Sequence, residues 1–217
     1  RDKARIDGVH RRLAQGVRPG LSPPPGDHHA VPADRRRAGA YTPGVSDAPT
    51  RVAIIGQGYV GLPVAMRACE VGHDVVGFDV DERRVKRLAT GESMVEDVSD
   101  ERLAAALETG RYHATTDPAD LAGFDVAVIS VPTPLSEGNP DLSYIEEAAR
   151  TLAGHLRAGA TVVLESTTYP GTTEELVGPI LEEGSDLVVG TDFHLGYSPE
   201  RIDPGNREWT FVNTPKV

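Results

Sequence analysis

Cysteine is nearly absent. Of 217 residues only Cys69 carries a thiol, so no disulfide can form within the chain, which fits a reducing cytosol. No apolar run approaches the roughly 20 residues that a membrane-spanning helix needs. No secretory signal opens the chain either, and a cytoplasmic location is the expectation. Positive charge is short: 22 Lys and Arg face 33 Asp and Glu, a net charge of −11. That balance argues against nucleic acid as the main partner, because phosphate contacts need a basic surface. Seven histidines occur without ligand spacing, and the only adjacent pair is His28-His29, so no metal site is expected. The first residue is Arg1 rather than methionine, as in a processed or incomplete chain.

What charge there is divides unevenly. Residues 1–50 hold 9 Lys and Arg against 5 Asp and Glu, whereas residues 51–217 hold 13 against 28. Residues 1–49 show no sustained apolar periodicity and carry Pro23-Pro24-Pro25 and Arg35-Arg36-Arg37. Such a segment cannot bury enough apolar surface to offset its ordering entropy, so it reads as a disordered extension. A basic arm for nucleic acid is the alternative.

Regular patterning begins at Arg51. Val52-Ala53-Ile54-Ile55 is a short apolar run ending in Gly56, the mark of a buried strand. A helix follows over about 58–71, with Gly72 as its stop. Residues 74–79 form a second strand, and Asp81 caps a helix through Leu88. A helix near 100–109, a strand near 111–115 and a helical turn at 117–122 come next. Residues 125–131 are a clear strand. Asp141 caps a helix whose Leu142, Ile145, Ala149, Leu152 and Leu156 share one face, and Gly159 ends it. Residues 161–164 are a strand. Thr172 and Glu175 have capping-box spacing for a helix to about Glu183, kinked at Pro179. Residues 187–189 are the last strand candidate. The alternation predicts an α/β, Rossmann-type doubly wound fold: a mainly parallel sheet with helices on both faces.

Gly56-Gln57-Gly58-Tyr59-Val60-Gly61 spells G-x-G-x-x-G between a strand and a helix, the context that turns a common hexapeptide into a dinucleotide-binding fingerprint. Gly56 permits the tight turn, Gly58 leaves the backbone open to a pyrophosphate, and Gly61 lets the helix pack close to the strand. The helix N-terminus adds unpaired N–H groups and a partial positive charge. Asp79, 23 residues after Gly56, ends the second strand where a carboxylate can accept both ribose hydroxyls. It would repel a 2′-phosphate, which favours NAD over NADP. Arg84 keeps the other choice open, since an arginine nearby could receive that phosphate. A bare packing turn with a strand-end carboxylate is the bland alternative. Cys69 lies eight residues after Gly61, on the same, sheet-facing side of the helix, and reads as a buried small hydrophobe rather than a nucleophile.

Four segments together resemble the UDP-glucose/GDP-mannose dehydrogenase family of nucleotide-sugar dehydrogenases: GQGYVGLP (56–63), VPTPL with PDLSYI (131–135 and 140–145), ESTTYPGTT (165–173) and GYSPERIDPGN (196–206). The resemblance covers about 51–215. It implies that the Gly56–Gly61 turn, including Tyr59 and Val60, holds the NAD pyrophosphate. Asp79 and Arg84 would hold the adenosine ribose region, and Val131, Pro132 and Thr133 would line the groove. Thr167 would sit near the nicotinamide and place a water. Glu200 would act in acid/base steps, and Arg201 would follow on the substrate-facing side. From the residues alone, Thr167 could equally be a turn residue and Glu200 a surface charge.

The family reaction, so implied, oxidises the sugar C6 alcohol to a carboxylate with two NAD, through an aldehyde captured by a cysteine and a thioester that water hydrolyses. The family's nucleophilic cysteine and its lysine, asparagine and aspartate helpers lie beyond the SPER segment, as do its central helix, much of its homodimer interface and its nucleotide-sugar domain. Residues 50–205 are therefore expected to be the NAD-binding domain, and 206–217 the start of a linker. Within the family, Tyr-Ser-Pro-Glu-Arg followed by Asp203-Pro204-Gly205-Asn206 resembles the branch acting on UDP-N-acetylhexosamines, UDP-N-acetylglucosamine first. A non-catalytic NAD-binding or interaction module, and the cofactor domain of another two-domain dehydrogenase, are the alternatives.

Overall fold

A computed structural model describes residues 49–136 and 138–201. The expectations for residues 1–48, and for 202–217 with their Asp203–Asn206 segment, lie outside the described residues.

Apolar runs become the inner strands. β1 (Arg51–Ile55), β2 (Asp74–Phe78), β3 (Tyr112–Thr115), β4 (Val126–Ile129), β7 (Thr161–Leu164) and β8 (His194–Tyr197) form one sheet in the order β3-β2-β1-β4-β7-β8. Every neighbouring pair is parallel. A separate two-stranded antiparallel hairpin, β5 (Leu135–Ser136) with β6 (Asn139–Pro140), follows β4.

Helices cover both faces. Alternate residues of β1 divide between two cores, as a period of two requires. Val52 and Ile54 pack with Leu62, Met66, Leu88 and Leu103, from α1 (Gly61–Glu70), α2 (Glu82–Ala89) and α3 (Asp100–Glu108). Ala53 and Ile55 pack with Ile145, Leu152 and Leu181, from α4 (Ser143–Ala153) and α5 (Gly178–Ser185). This is the expected doubly wound architecture.

Several boundaries differ from the sequence reading. α1 starts at Gly61, not near 58, because 58–60 are spent on the turn; Pro63 sits in its first turn, where no N–H is missed. Asp81 does cap α2, accepting from the Arg83 and Arg84 N–H groups. At α4 the N-cap is Leu142, and Asp141 accepts from Ser143 N one residue outside it. That helix closes at Ala153, so Leu156 packs on the core from the following loop.

The Thr172–Glu175 capping box does not form. Thr172–Val177 is a π-helical turn entered through Gly171 at φ +94°, and the Thr172 hydroxyl donates to the Tyr169 carbonyl instead. Pro179 lies in the first turn of α5, directly after the π-helical turn. A proline ring clashes with the carbonyl four residues back, so regular α winding starts only where that carbonyl is not needed. Residues 187–189 are no strand: only an isolated bridge joins Val189 to Phe193. The last strand is β8, which carries no apolar run because it is half-exposed along the sheet.

Candidate functional site

Strand order reverses between β1, which runs on to β2 and β3, and β4, which runs on to β7 and β8. Loops leaving the carboxyl ends of two such strands part in opposite directions, and the crevice between them is where open α/β sheets bind ligands. A groove of about 950 Å³ lies there. Its lining includes Gly56, Gly58, Tyr59 and Val60 after β1, Asp79 and Arg84 after β2, Val131, Pro132 and Thr133 after β4, Thr167 after β7 and Glu200 after β8. Residues up to 144 positions apart in sequence thus meet at one edge of the sheet.

The turn after β1 is built around absent side chains. Gly56 has φ +93°, and a Cβ on it would lie 2.6 Å from the Ser130 carbonyl oxygen. At Gly61 a Cβ would overlap the Gly56 carbonyl oxygen and lie 2.6 Å from Ser130 Oγ. Both glycines therefore hold α1 tight against β1 and β4. Gly58 is different: a Cβ there would meet nothing within 4 Å and would project into open space. Close packing behind the turn and free room in front of it are what a pyrophosphate on the helix N-terminus needs.

Asp79 is only 4% exposed. Its Oδ2 accepts from Gln57 N at 2.8 Å and from Arg84 Nη1 at 2.8 Å, and its Oδ1 accepts from Asp81 N at 3.0 Å. Arg84, which the sequence left as a rival receiver for a phosphate, is thus engaged with the carboxylate itself. The next carboxylate, Asp81, is held below the usual range by the Arg83 and Arg84 backbone N–H groups at the start of α2. At the other end, Thr133 Oγ1 donates to the Thr167 carbonyl oxygen at 2.8 Å, tying the loops after β4 and β7 together. Glu200 lines the groove, whereas Arg201 is exposed, outside that lining, with Nη1 on the Glu200 carbonyl oxygen.

Three residues at or behind the site had no role assigned from the sequence. Ser130 Oγ donates to the carbonyl oxygens of Ile55 and Gly56, bracing the turn from β4. Glu165, buried at the end of β7, accepts from Ser198 Oγ at 3.2 Å and so links two of the four segments. Gln57, the first variable position of the glycine motif, is 1% exposed and turned inward. A motif written with x at that position hides it.

Cys69 lies away from the groove, in the core between α1 and the sheet. Burial pushes its thiol up to about 11. Among the described residues no cluster of histidine, cysteine and carboxylates could hold a metal, and no helix is long and apolar enough to cross a membrane.

The NAD-binding domain of the UDP-glucose/GDP-mannose dehydrogenase family matches residues 50–217. UDP-N-acetyl-D-mannosamine dehydrogenase of Pyrococcus horikoshii is 42% identical over 71% of this chain and 37% of its own length. UDP-N-acetyl-D-glucosamine 6-dehydrogenase of Pseudomonas aeruginosa is 40% identical over 77% of the chain and 39% of its own length. The solved structure of the Pyrococcus horikoshii UDP-D-ManNAc dehydrogenase superposes with a TM-score of 0.68 at 41% identity, over 72% of this chain and 37% of that one. The chain therefore spans under two fifths of these relatives. With the glycine turn, the acidic strand end and the switch-point groove all in place, the chain belongs to the UDP-glucose/GDP-mannose dehydrogenase family, of which it is the NAD-binding domain.

Proposed function

We propose that this domain serves a dehydrogenase that oxidises C6 of a UDP-N-acetylhexosamine, UDP-N-acetylglucosamine foremost, from alcohol to carboxylate in the cytoplasm. The carrying observation is the single groove that runs from Asp79 to Glu200 across the switch point. The names of the relatives, which act on UDP-N-acetyl-D-mannosamine and UDP-N-acetyl-D-glucosamine, support the substrate class. Bound NAD supplies the acceptor for the hydride leaving C6. The Gly56–Gly61 turn offers backbone N–H groups to the pyrophosphate. Asp79 accepts the ribose hydroxyls, with Arg84 holding the carboxylate in place. Val131, Pro132 and Thr133 form the floor of the groove. Thr167 places a water, and Glu200 takes and returns protons. Arg201 serves the substrate side and must swing in from its exposed position to do so.

Cofactor choice tests the first half of this reading. Calorimetric titration should show NAD binding more tightly than NADP, and Asp79→Ala should narrow the gap by about 1.5–3 kcal/mol, the worth of a hydrogen bond to a charged group. Equal affinity of the unmodified chain for both cofactors would overturn the role of Asp79. Substrate choice needs the dehydrogenase with its sugar-binding part. Steady-state rates should favour UDP-N-acetylglucosamine over UDP-glucose, and a clear preference for UDP-glucose would refute the N-acetyl assignment.

A further inference from the structure

Behind the glycine turn lies a polar group of side chains with no place in the ligand groove. Gln57 is 1% exposed and Tyr112, on β3, is 4% exposed. Tyr112 Oη donates to Gln57 Oε1 at 2.7 Å. Gln57 Nε2 donates in turn to the carbonyl oxygens of Ile54 at 2.9 Å and Gly56 at 3.2 Å. The orientation of the amide follows from its partners, since two carbonyls can only face the nitrogen. β2 lies between β1 and β3, and the contact passes over it at Gly77. A Cβ on Gly77 would lie 2.6 Å from Gln57 Oε1 and 2.7 Å from Tyr112 Oη. The missing side chain at Gly77 is the gap through which the two polar groups meet.

Burying an amide and a phenol in an apolar core is costly unless every group finds a partner. Leucine and phenylalanine would serve packing alone. The backbone shows what this pair adds. Gln57 N is the donor to Asp79 Oδ2 at 2.8 Å, so one residue is tied to the turn by its side chain and to the acidic strand end by its main chain. We infer that Tyr112 and Gln57 form a positioning strut: they fix the peptide between Gly56 and Gln57, and through its N–H they aim the Asp79 carboxylate at the ribose. Neither side chain lines the groove. Tyr112 would thus set NAD-over-NADP discrimination from the third strand of the sheet.

The inference rests on the role of Asp79 proposed above, and the experiment separates the two. NAD and NADP are titrated into the unmodified chain, Asp79→Ala, Tyr112→Phe, Gln57→Met and the Gln57→Met/Tyr112→Phe pair. All are measured at a temperature where circular dichroism shows each one folded. Tyr112→Phe should raise the Kd for NAD about three- to tenfold, the range expected when a charge-assisted hydrogen bond is misaligned rather than removed, and leave NADP within twofold. The double variant strands neither the phenol nor the amide oxygen and leaves only the turn carbonyls short of a donor, so its melting temperature should rise above that of Gln57→Met toward that of the unmodified chain. Its NAD preference should stay low, because the turn carbonyls are still unheld. Recovery of stability without recovery of discrimination is the mark of positioning. If Asp79→Ala changes the NAD-to-NADP ratio while Tyr112→Phe and Gln57→Met lower only the melting temperature, the strut is structural and this inference falls alone. If Asp79→Ala leaves the ratio unchanged, both fall together.

Discussion

Cys69 is 7% exposed, sits among Val52, Ile54, Met66 and Val75, and donates weakly to the Arg111 carbonyl oxygen at 3.7 Å. Burial is the main reason its thiol is pushed up to about 11, outweighing the opposite pull of Arg111. Since the thiolate is the nucleophile, alkylation of the folded chain at pH 8 should be about a hundredfold slower than that of a free thiol. Iodoacetamide labelling followed by mass spectrometry checks this, and labelling as fast in the native chain as in urea would contradict it. The sign of the linkage is also fixed. A proton held more tightly in the folded state stabilises it fully below the ordinary thiol pKa of about 8.5. That contribution drains away as the pH climbs to about 11, because the unfolded chain loses its proton first. In Cys69→Ala the fall of stability between pH 9 and 11 should be shallower. This position was legible in the sequence, because eight residues from Gly61 returns to the same helix face.

At the level of elements, the glycine turn separates packing from binding. Gly61→Ala would push a methyl against the Gly56 carbonyl and Ser130 Oγ, so α1 must lift off β1 and β4. The expected loss is about 1–3 kcal/mol in urea unfolding, typical of overpacking, with weaker NAD binding because the helix N-terminus moves with it. Gly58→Ala meets nothing within 4 Å and should unfold like the original chain, yet bind NAD more weakly because the methyl enters the groove. Equal stability losses in the two variants would contradict this division. The turn and inner strands could be read from sequence because buried parallel strands are unbroken apolar runs and glycine motifs sit at fixed offsets. β8 could not: His194–Tyr197 is half-exposed at the sheet edge, so no apolar run marks it. Nor could the π-helical turn at 172–177, where capping-box spacing was present but Thr172 bonded backward to Tyr169. The Gln57–Tyr112 contact spans 55 residues and depends on strand order, which local patterning does not contain.

For the molecule as a whole, the sheet brings the residues of the proposed site to one edge. The groove gathers the glycine turn, Asp79, Thr167 and Glu200, the residues proposed above to hold NAD and move protons. An aldehyde-to-acid stage asks for more: a thiolate that can reach C6 and hold the carbon between two oxidations. The 217 residues contain one thiol, and it lies near the far end of α1, about 12 Å of helix rise from Gly61, buried in the core and held protonated. In the roles proposed above Thr167 and Glu200 would orient water or shuttle protons, and neither side chain, lacking sulfur, can form a thioester. Positioning is equally demanding, because hydride transfer depends on close and oriented approach, and the described residues line the groove from the sheet edge and α4. The 217-residue chain by itself is therefore expected to bind NAD and produce no NADH from UDP-N-acetylglucosamine, UDP-N-acetylmannosamine or UDP-glucose. Absorbance at the NADH band over hours, with NAD binding confirmed on the same sample, is the measurement. Turnover that survives Cys69→Ser would mean that the groove positions the sugar for hydride transfer without this thiol. Turnover abolished by Cys69→Ser in a folded protein would place the nucleophile on α1, against its burial and its raised pKa.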